Sequence, residues 1–181
     1  ASAYAGNFTI EVATSQDYTI LTGSGNDTIN LLNDTFTQND TVDGGDGVDR
    51  IIVNESLADS AHPERDESFR HVSNVEELEV RGDDEGTLYV SLDDNAYDAG
   101  IERLIVADDD GEDANVSLNI GRDFLRDLRI DLTNGALEVD NDGDVGLDVY
   151  LGADGGRTLD FVDAGNSGKV QGEKKETNPP A

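Results

Sequence analysis

Nine consecutive residues, Gly44 Gly45 Asp46 Gly47 Val48 Asp49 Arg50 Ile51 Ile52, follow the pattern Gly-Gly-x-Gly-x-Asp-x-hydrophobic-x. Glycine tolerates tight turns and positive φ, so the turn can aim main-chain carbonyls inward while the aspartate adds a carboxylate. An all-oxygen set of this kind suits a hard cation with about six to eight ligands, calcium above all. Thr22 Gly23 Ser24 Gly25 Asn26 Asp27 Thr28 Ile29 Asn30 repeats the pattern except at its first glycine. Nine residues ahead of the complete copy, Asn39 Asp40 Thr41 Val42 Asp43 supplies the second half of another. Gly23, Gly25, Asp27, Asp40, Gly45, Asp46, Gly47 and Asp49 are therefore the candidate ligands, against the alternative of plain Gly/Asp/Asn turns between strands.

The elements that must position these turns read as short strands. Phe8 to Val12 alternates apolar and polar residues, and Tyr18 to Leu21 leads into the first turn. Residues 54–73, with Pro63, break the pattern and read as an excursion from the sheet with one helical turn around Glu64 to His71. A longer repeat follows: Val75 to Val80, Ile101 to Val106 and Leu125 to Ile130, at offsets of 26 and 24 residues. Each is followed by a polar turn and a second alternating strand, at Thr87 to Leu92, Val116 to Ile120 and Ala136 to Val139. Leu147 to Leu151 and Thr158 to Val162 continue the series around a turn at Gly152 to Gly156. Strand, turn, strand and connection repeated about every 25 residues predicts an all-β, calcium-loaded parallel solenoid of the β-roll kind, spanning 1–168 as one domain. A calcium-bound β-sandwich is the alternative closure.

Stacked parallel coils bring acidic turns onto common edges. Asp83 Asp84 Glu85, Asp108 Asp109 Asp110 with Glu112 and Asp113, and Asp140 Asn141 Asp142 Gly143 Asp144 are the runs so placed. Asp108, Asp110, Asp140, Asp142 and Asp144 are further candidate ligands, or else ordinary solvated turns. The last run resembles the start of an EF-hand loop without its twelfth-position glutamate.

The 181 residues carry 12 basic and 41 acidic side chains, a net charge of -29. That much self-repulsion opposes compaction unless cations cancel part of it, and it disfavours nucleic acid and anionic membranes as partners. A halophile's acidic surface is the bland alternative, but many of these acids cluster in Gly/Asp/Asn loops. Cysteine is absent, so calcium rather than disulfides would staple the fold. All three lysines fall in residues 169–181, a stretch almost without apolar residues that reads as a flexible tail or linker. No apolar run approaches a membrane span.

Other chemistry is poorly represented. His62 and His71 lack the partners of a zinc set. Arg81 Gly82 Asp83 spells an adhesion tripeptide at a strand-to-turn junction, where chance or calcium explains it better. Triplets such as Asn26 Asp27 Thr28 match a glycosylation acceptor that the turn pattern already accounts for. No nucleophile elbow, cysteine nucleophile or phosphate loop occurs, and the expectation is that the chain is not an enzyme. One enzymatic alternative remains: Arg122, Arg126 and Arg129 form the only basic cluster, and calcium β-helices that cleave polyuronates use such a base. Salt bridges on a solvated face are the simpler account.

The nonapeptides resemble those of the RTX family of calcium-binding repeat proteins, which Gram-negative bacteria export by type I secretion. The motif-level resemblance covers about 30 residues, 22–52. It implies several calcium ions, a parallel β-roll, and a secreted or cell-surface location. No signal segment opens the chain and no export signal closes it, so the expectation is an internal, monomeric module of a larger adhesin. The signatures at Val75 to Val80 and Ile101 to Val106, and the mass of 19.3 kDa, are similar to the calcium-dependent peptide-binding domain of large RTX adhesins. That resemblance implies binding of peptide or protein C-termini on another cell surface, the terminal carboxylate filling an open calcium position. Tyr89, Tyr97, Phe124, Tyr150 and Phe161 are the aromatics that could line such a groove. A passive structural solenoid, such as a surface-layer segment or spacer, is the rival reading.

Overall fold

The computed structural model describes residues 6–58, 66–82, 86–108, 114–133, 135–142, 145–151 and 158–161. Its strands are β1 (Thr9–Val12), β2 (Thr19–Leu21), β3 (Thr28–Leu31), β4 (Thr41–Asp43), β5 (Arg50–Val53), β6 (Val72–Ser73), β7 (Glu77–Gly82) and β8 (Thr87–Leu92). After the helix α1 (Asp94–Ala99) come β9 (Arg103–Asp108), β10 (Asn115–Ile120), β11 (Leu128–Leu132), β12 (Ala136–Asn141), β13 (Leu147–Leu151) and β14 (Thr158–Phe161). Every pairing is parallel, between strands of successive coils. The chain is a parallel β-solenoid of about six turns.

One sheet runs the whole length, in the order β1-β3-β5-β7-β9-β11-β13. Its inward residues stack in register, so that Ile29 meets Ile51, Ile51 meets Leu78, Leu78 meets Leu104, and Leu104 meets Ile130. All five are buried, and each such side chain stabilises by about 1.5–3 kcal/mol. Its outward row carries charges, Arg50 opposite Glu77 and Glu77 opposite Arg103. Arg50 holds Glu77 and Glu79 at 2.5 and 2.8 Å. Arg103 spans Glu77 at 2.7 Å and Asp131.

The second strand of each coil changes sides along the axis. In the first half it precedes the long-sheet strand, giving the sheet β2-β4-β6; in the second half it follows, giving β14-β12-β10-β8. The handover is bridged by main chain. The amides of Leu57 and Ala58 donate to the Tyr89 carbonyl in β8, and that of Val75 donates to Ala99 at the end of α1. The described residues of the 54–73 segment, 54–58 and 66–73, are thus part of the coil. Leu57 and Phe69 are buried, and Phe69 meets Phe36 edge to face at 5.9 Å. The expected helical turn is a 3-10 turn at Glu67–Phe69; residues 59–65, with His62 and Pro63, lie outside the described residues.

The predicted second strands fall where the alternation put them. The third member of the long repeat does not, because Leu104 pairs with Ile130 rather than Leu128. A slip of two residues keeps every side chain on its own face, so periodicity cannot detect it. Its consequence is local: Leu125 is 71% exposed while Phe124 is buried. Helix α1 was not anticipated. The Asp66 carboxylate holds its start, accepting the amides of Asp93 and Ala96 at 3.0 and 2.9 Å and the Asn95 side chain at 2.8 Å. Gly100, at φ 109°, ends it.

Candidate metal centre

The two glycine-aspartate turns stack directly, 22–27 on 44–49. The Gly25 amide donates to Asp46 and the Asp46 amide to Gly23, each at 2.9 Å, and Ser24 and Asp46 form a parallel bridge. Gly45 and Gly47 have φ of 90° and 143°. A Cβ on either would stand 1.9 Å from the carbonyl oxygen of Gly23 or Gly25 below it. Turn-on-turn packing by itself therefore demands glycine at these places.

The aspartates fasten coil to coil. The Phe8 amide donates to Asp27 Oδ1 at 2.7 Å, the Asp27 amide to Asp49 Oδ1 at 2.7 Å, and the Asp49 amide to Glu76 Oε2 at 2.8 Å. Beside this ladder a second runs the opposite way, from the Asn26 amide to Asn7 Oδ1 and from the Val48 amide to Asn26 Oδ1. Asp27 and Asp49 are 1% and 0% exposed, and the second carboxylate oxygen of each, Oδ2, meets no hydrogen-bond donor. Burial raises the Asp49 pKa above the ordinary carboxylate value, repulsion by Asp27, Glu76 and Asp43 adds to this, and the bond from the Asp27 amide opposes it. Each Oδ2 lacks a positive partner, and a buried acceptor without one is costly.

The residues present fit calcium. The donors are all oxygen, two of them buried carboxylate atoms beside a stack of turn carbonyls, and carbonyls with one hydrogen bond keep a second lone pair. Among the described residues no three His, Asp or Glu side chains cluster as a metal set, so an ion here would have to draw most of its ligands from main chain.

The other expected ligands are not gathered at this stack. Asp40 stands at the start of β4, where Oδ1 accepts the Tyr18 amide at 2.8 Å and Oδ2 accepts the Thr37 amide at 2.7 Å. Protein donors thus account for both its oxygens. Asp46 is exposed in the turn. Asp140 belongs to β12, in register with Asn119, and Asp142 follows exposed, its amide on Ile120. Asp108 ends β9. Asp110 and Asp144 lie outside the described residues, as do Asp83 to Glu85, Gly152 to Gly156 and the 169–181 tail.

Reading by motif passed over Glu76 and Glu55. Glu76 extends the aspartate ladder by one coil. Phe36 donates its amide to Glu55 Oε1 at 2.9 Å, and burial, with Asp34 and Asp40 nearby, pushes the Glu55 pKa up to about 7. The signal that would have found Glu76 is coil length: 22 residues separate Asp27 from Asp49, but 27 separate Asp49 from Glu76. That jump, together with the exchange of Asp for Glu, hid the equivalence.

Two arginines of the basic cluster, Arg126 and Arg129, are engaged, and of these Arg129 makes the close salt bridge. Arg126 lies over the Tyr97 ring at 4.4 Å and donates to the Tyr97 carbonyl at 2.6 Å. Arg129 lies over Tyr150 at 4.2 Å and pairs with Asp131 at 3.1 Å. Of the aromatics considered for a groove, Phe124 is buried and Tyr97 packs edge to face against it. Tyr89 remains half-buried over a shallow depression with Thr87, Asn115 and Glu138. Comparison with family models, curated proteins and solved structures finds no match for this chain.

Proposed function

We propose that this protein is a calcium-stapled solenoid module of a secreted, RTX-type bacterial surface protein, and that its calcium serves chiefly to hold the coils together. The observation that carries this reading is the pair of buried Oδ2 atoms of Asp27 and Asp49, aligned along one edge with no donor. A divalent cation bound only by the folded state would neutralise them and add about 2.7 kcal/mol per site at a hundredfold excess over Kd.

Capture of a peptide's terminal carboxylate needs an ion open to solvent. These two oxygens are sealed, which favours the structural role over the adhesive one suggested by the resemblance to peptide-binding adhesin domains. A spacer or stalk segment is the form of surface protein that uses a rigid, monomeric solenoid in this way.

Calorimetric titration of the chelator-stripped protein with calcium, paired with thermal melts, tests the reading. Calcium should bind and raise Tm; an unchanged Tm and no binding heat would sink it. A library of short peptides with free or amidated C-termini separates the two roles. Amidation removes the terminal charge alone, so calcium-dependent binders lost on amidation would restore the adhesive role, whereas none are expected.

A further inference from the structure

Residues 33–36, which follow β3, rest on residues 54 and 55, which follow β5 in the next coil. The Asn33 amide donates to Asn54 Oδ1 at 2.7 Å and the Phe36 amide to Glu55 Oε1 at 2.9 Å. Asn33 and Asp34 have φ of 61° and 56°, the left-handed region that Asn and Asp enter more readily than most side chains. The bend brings the Asp34 carboxyl within hydrogen-bonding reach of the Glu55 carboxyl. Between the two tie points the Thr35 hydroxyl is buried and has no partner. Phe36 ends the turn, buried against Phe69, and a shallow depression lined by Phe36, Thr37, Ser56, Leu57 and Glu67 opens beside it.

Valence decides which state of Glu55 this arrangement suits. A neutral carboxyl offers both an acceptor and a donor: Oε1 takes the Phe36 amide, and a proton on the other oxygen is donated to Asp34. An ionised Glu55 has acceptors alone, and its second oxygen would face another carboxyl oxygen with no hydrogen between them. Glu55 is buried, so water is a poor substitute for that proton. Burial, then Asp34 and Asp40, raise its pKa to about 7 against the lowering effect of the Phe36 amide. Glu67, on the far side of the depression, is paired with Arg70 at 3.7 Å. We propose that Asp34 and Glu55 form a proton-operated latch: with the proton in place the 33–36 turn lies closed on the second coil, and its release to solvent opens the turn and uncovers Phe36. Both residues lie outside the glycine-aspartate turns, so the latch stands apart from the calcium reading and makes this part of the first half sensitive to pH.

Amide hydrogen exchange at Phe36 and carbon-13 NMR of the Glu55 side chain, followed on the full chain in calcium buffer from about pH 5 to about pH 9, test it. Both should change with one midpoint near pH 7. Above it, Phe36 protection, corrected for the intrinsic pH dependence of exchange, should fall about tenfold per pH unit. Asp34→Asn turns the facing acceptor into a donor that pairs with ionised Glu55. The midpoint should then drop by at least about one unit and the turn should stay closed at high pH. Glu55→Gln, whose amide donates to Asp34 as the acid does, should keep Phe36 protected throughout. A Glu55 midpoint unmoved by Asp34→Asn means that burial alone holds the proton, and overturns the latch. A Glu55 titration that leaves Phe36 protection unchanged overturns it likewise. Protection of Leu118 in β10 falling in step with Phe36 would make the loss global and sink a local device. A midpoint that drops as calcium is raised at constant ionic strength would put a cation, not a proton, between the two carboxyls, and rejects the latch as well.

Discussion

The two halves of the solenoid differ in how much strand ladder joins their coils, although both also carry carboxylates that accept amides of a neighbouring coil, as Asp93 and Asp127 do for Asp123 and Gly146 in the second. In the first half the second-sheet strands β2, β4 and β6 are only three, three and two residues long. In the second half β8, β10 and β12 run six residues each, paired in register along their whole length. Where strand ladders are short, side chains take over the coil-to-coil hydrogen bonds, as Asp27, Asp49, Glu76, Asp40 and Glu55 do. Backbone ladders need no counterion. Buried carboxylate fasteners carry a charge, and in Asp27 and Asp49 a second oxygen that meets no donor. On the proposed calcium reading, the dependence on cations is therefore expected in the first half.

The largest effect should come from the turn stack itself. Gly47→Ala places a Cβ against the Gly25 carbonyl on a backbone at φ 143°, and a loss on the order of 3 kcal/mol or more is expected. Gly86→Ala, before β8, meets nothing within 4 Å and should change stability by less than about 0.5 kcal/mol. Urea melts in calcium buffer measure both. Equal losses at the two positions would contradict the account of the stacked turns.

Chelation should divide the halves next. Amide hydrogen exchange in β3, β4 and β5 should quicken by about a hundredfold when calcium is removed, matching about 2.7 kcal/mol. Exchange in β10, β11 and β12 should change far less. Uniform acceleration along the chain would mean that the coils unfold as one unit and that the contrast is only geometric.

A third test isolates one fastener. Burial gives Glu55 a folded pKa of about 7 against an ordinary value of 4.5, so the folded state binds the proton more tightly than the unfolded chain. Its contribution is full below about pH 4.5 and is lost as pH rises through about 7. In chelator, Glu55→Gln should therefore be more stable than wild type at pH 8 by on the order of 2 kcal/mol, and close to it at pH 4.5. Denaturant melts at the two pH values give the difference. A gap that does not change with pH would remove Glu55 from the carboxylates that limit the first half.

Much of this contrast was legible in the residues. Alternation located β8, β10, β12 and β13 because each has one face in the core, and a one-residue error would have turned its leucines and valines to water. The motif spacing located the stacked turns because only glycine fits beneath a carbonyl at 1.9 Å. What escaped has equally physical causes. The Leu125 register survives a two-residue shift by symmetry of the strand. Helix α1 depends on Asp66, 27 residues before Asp93, and no local rule sees a cap that arrives from the preceding coil. Glu76 was hidden by a coil five residues longer than its predecessor. The acidic runs drew attention by their density, yet Asp140 proved to belong to a strand, whereas Asp27, Asp40, Asp49 and Glu55, buried acids outside those runs, became fasteners.

The smallest effect should come from a charged network that both halves share. On the outer face of the long sheet, Arg50 pairs with Glu77 and Glu79, and Arg103 pairs with Glu77 and Asp131. Each arginine has a deputy: without Arg103, Glu77 keeps Arg50 and Asp131 keeps Arg129; without Arg50, Glu79 keeps Arg81. Removing one arginine therefore strands no carboxylate, and Arg50→Gln and Arg103→Gln should each cost about 1 kcal/mol or less at low salt. The cost should shrink as salt screens the partly exposed pairs. It should be alike in calcium and in chelator, since these side chains leave the sheet on the opposite face from the core and on a different edge from the turns. Melts of both variants across ionic strength, with and without calcium, provide the check. If Arg50→Gln proved strongly calcium-dependent while Arg103→Gln did not, the field of the ion would extend across the coil and the first half would have to be treated as one electrostatic unit.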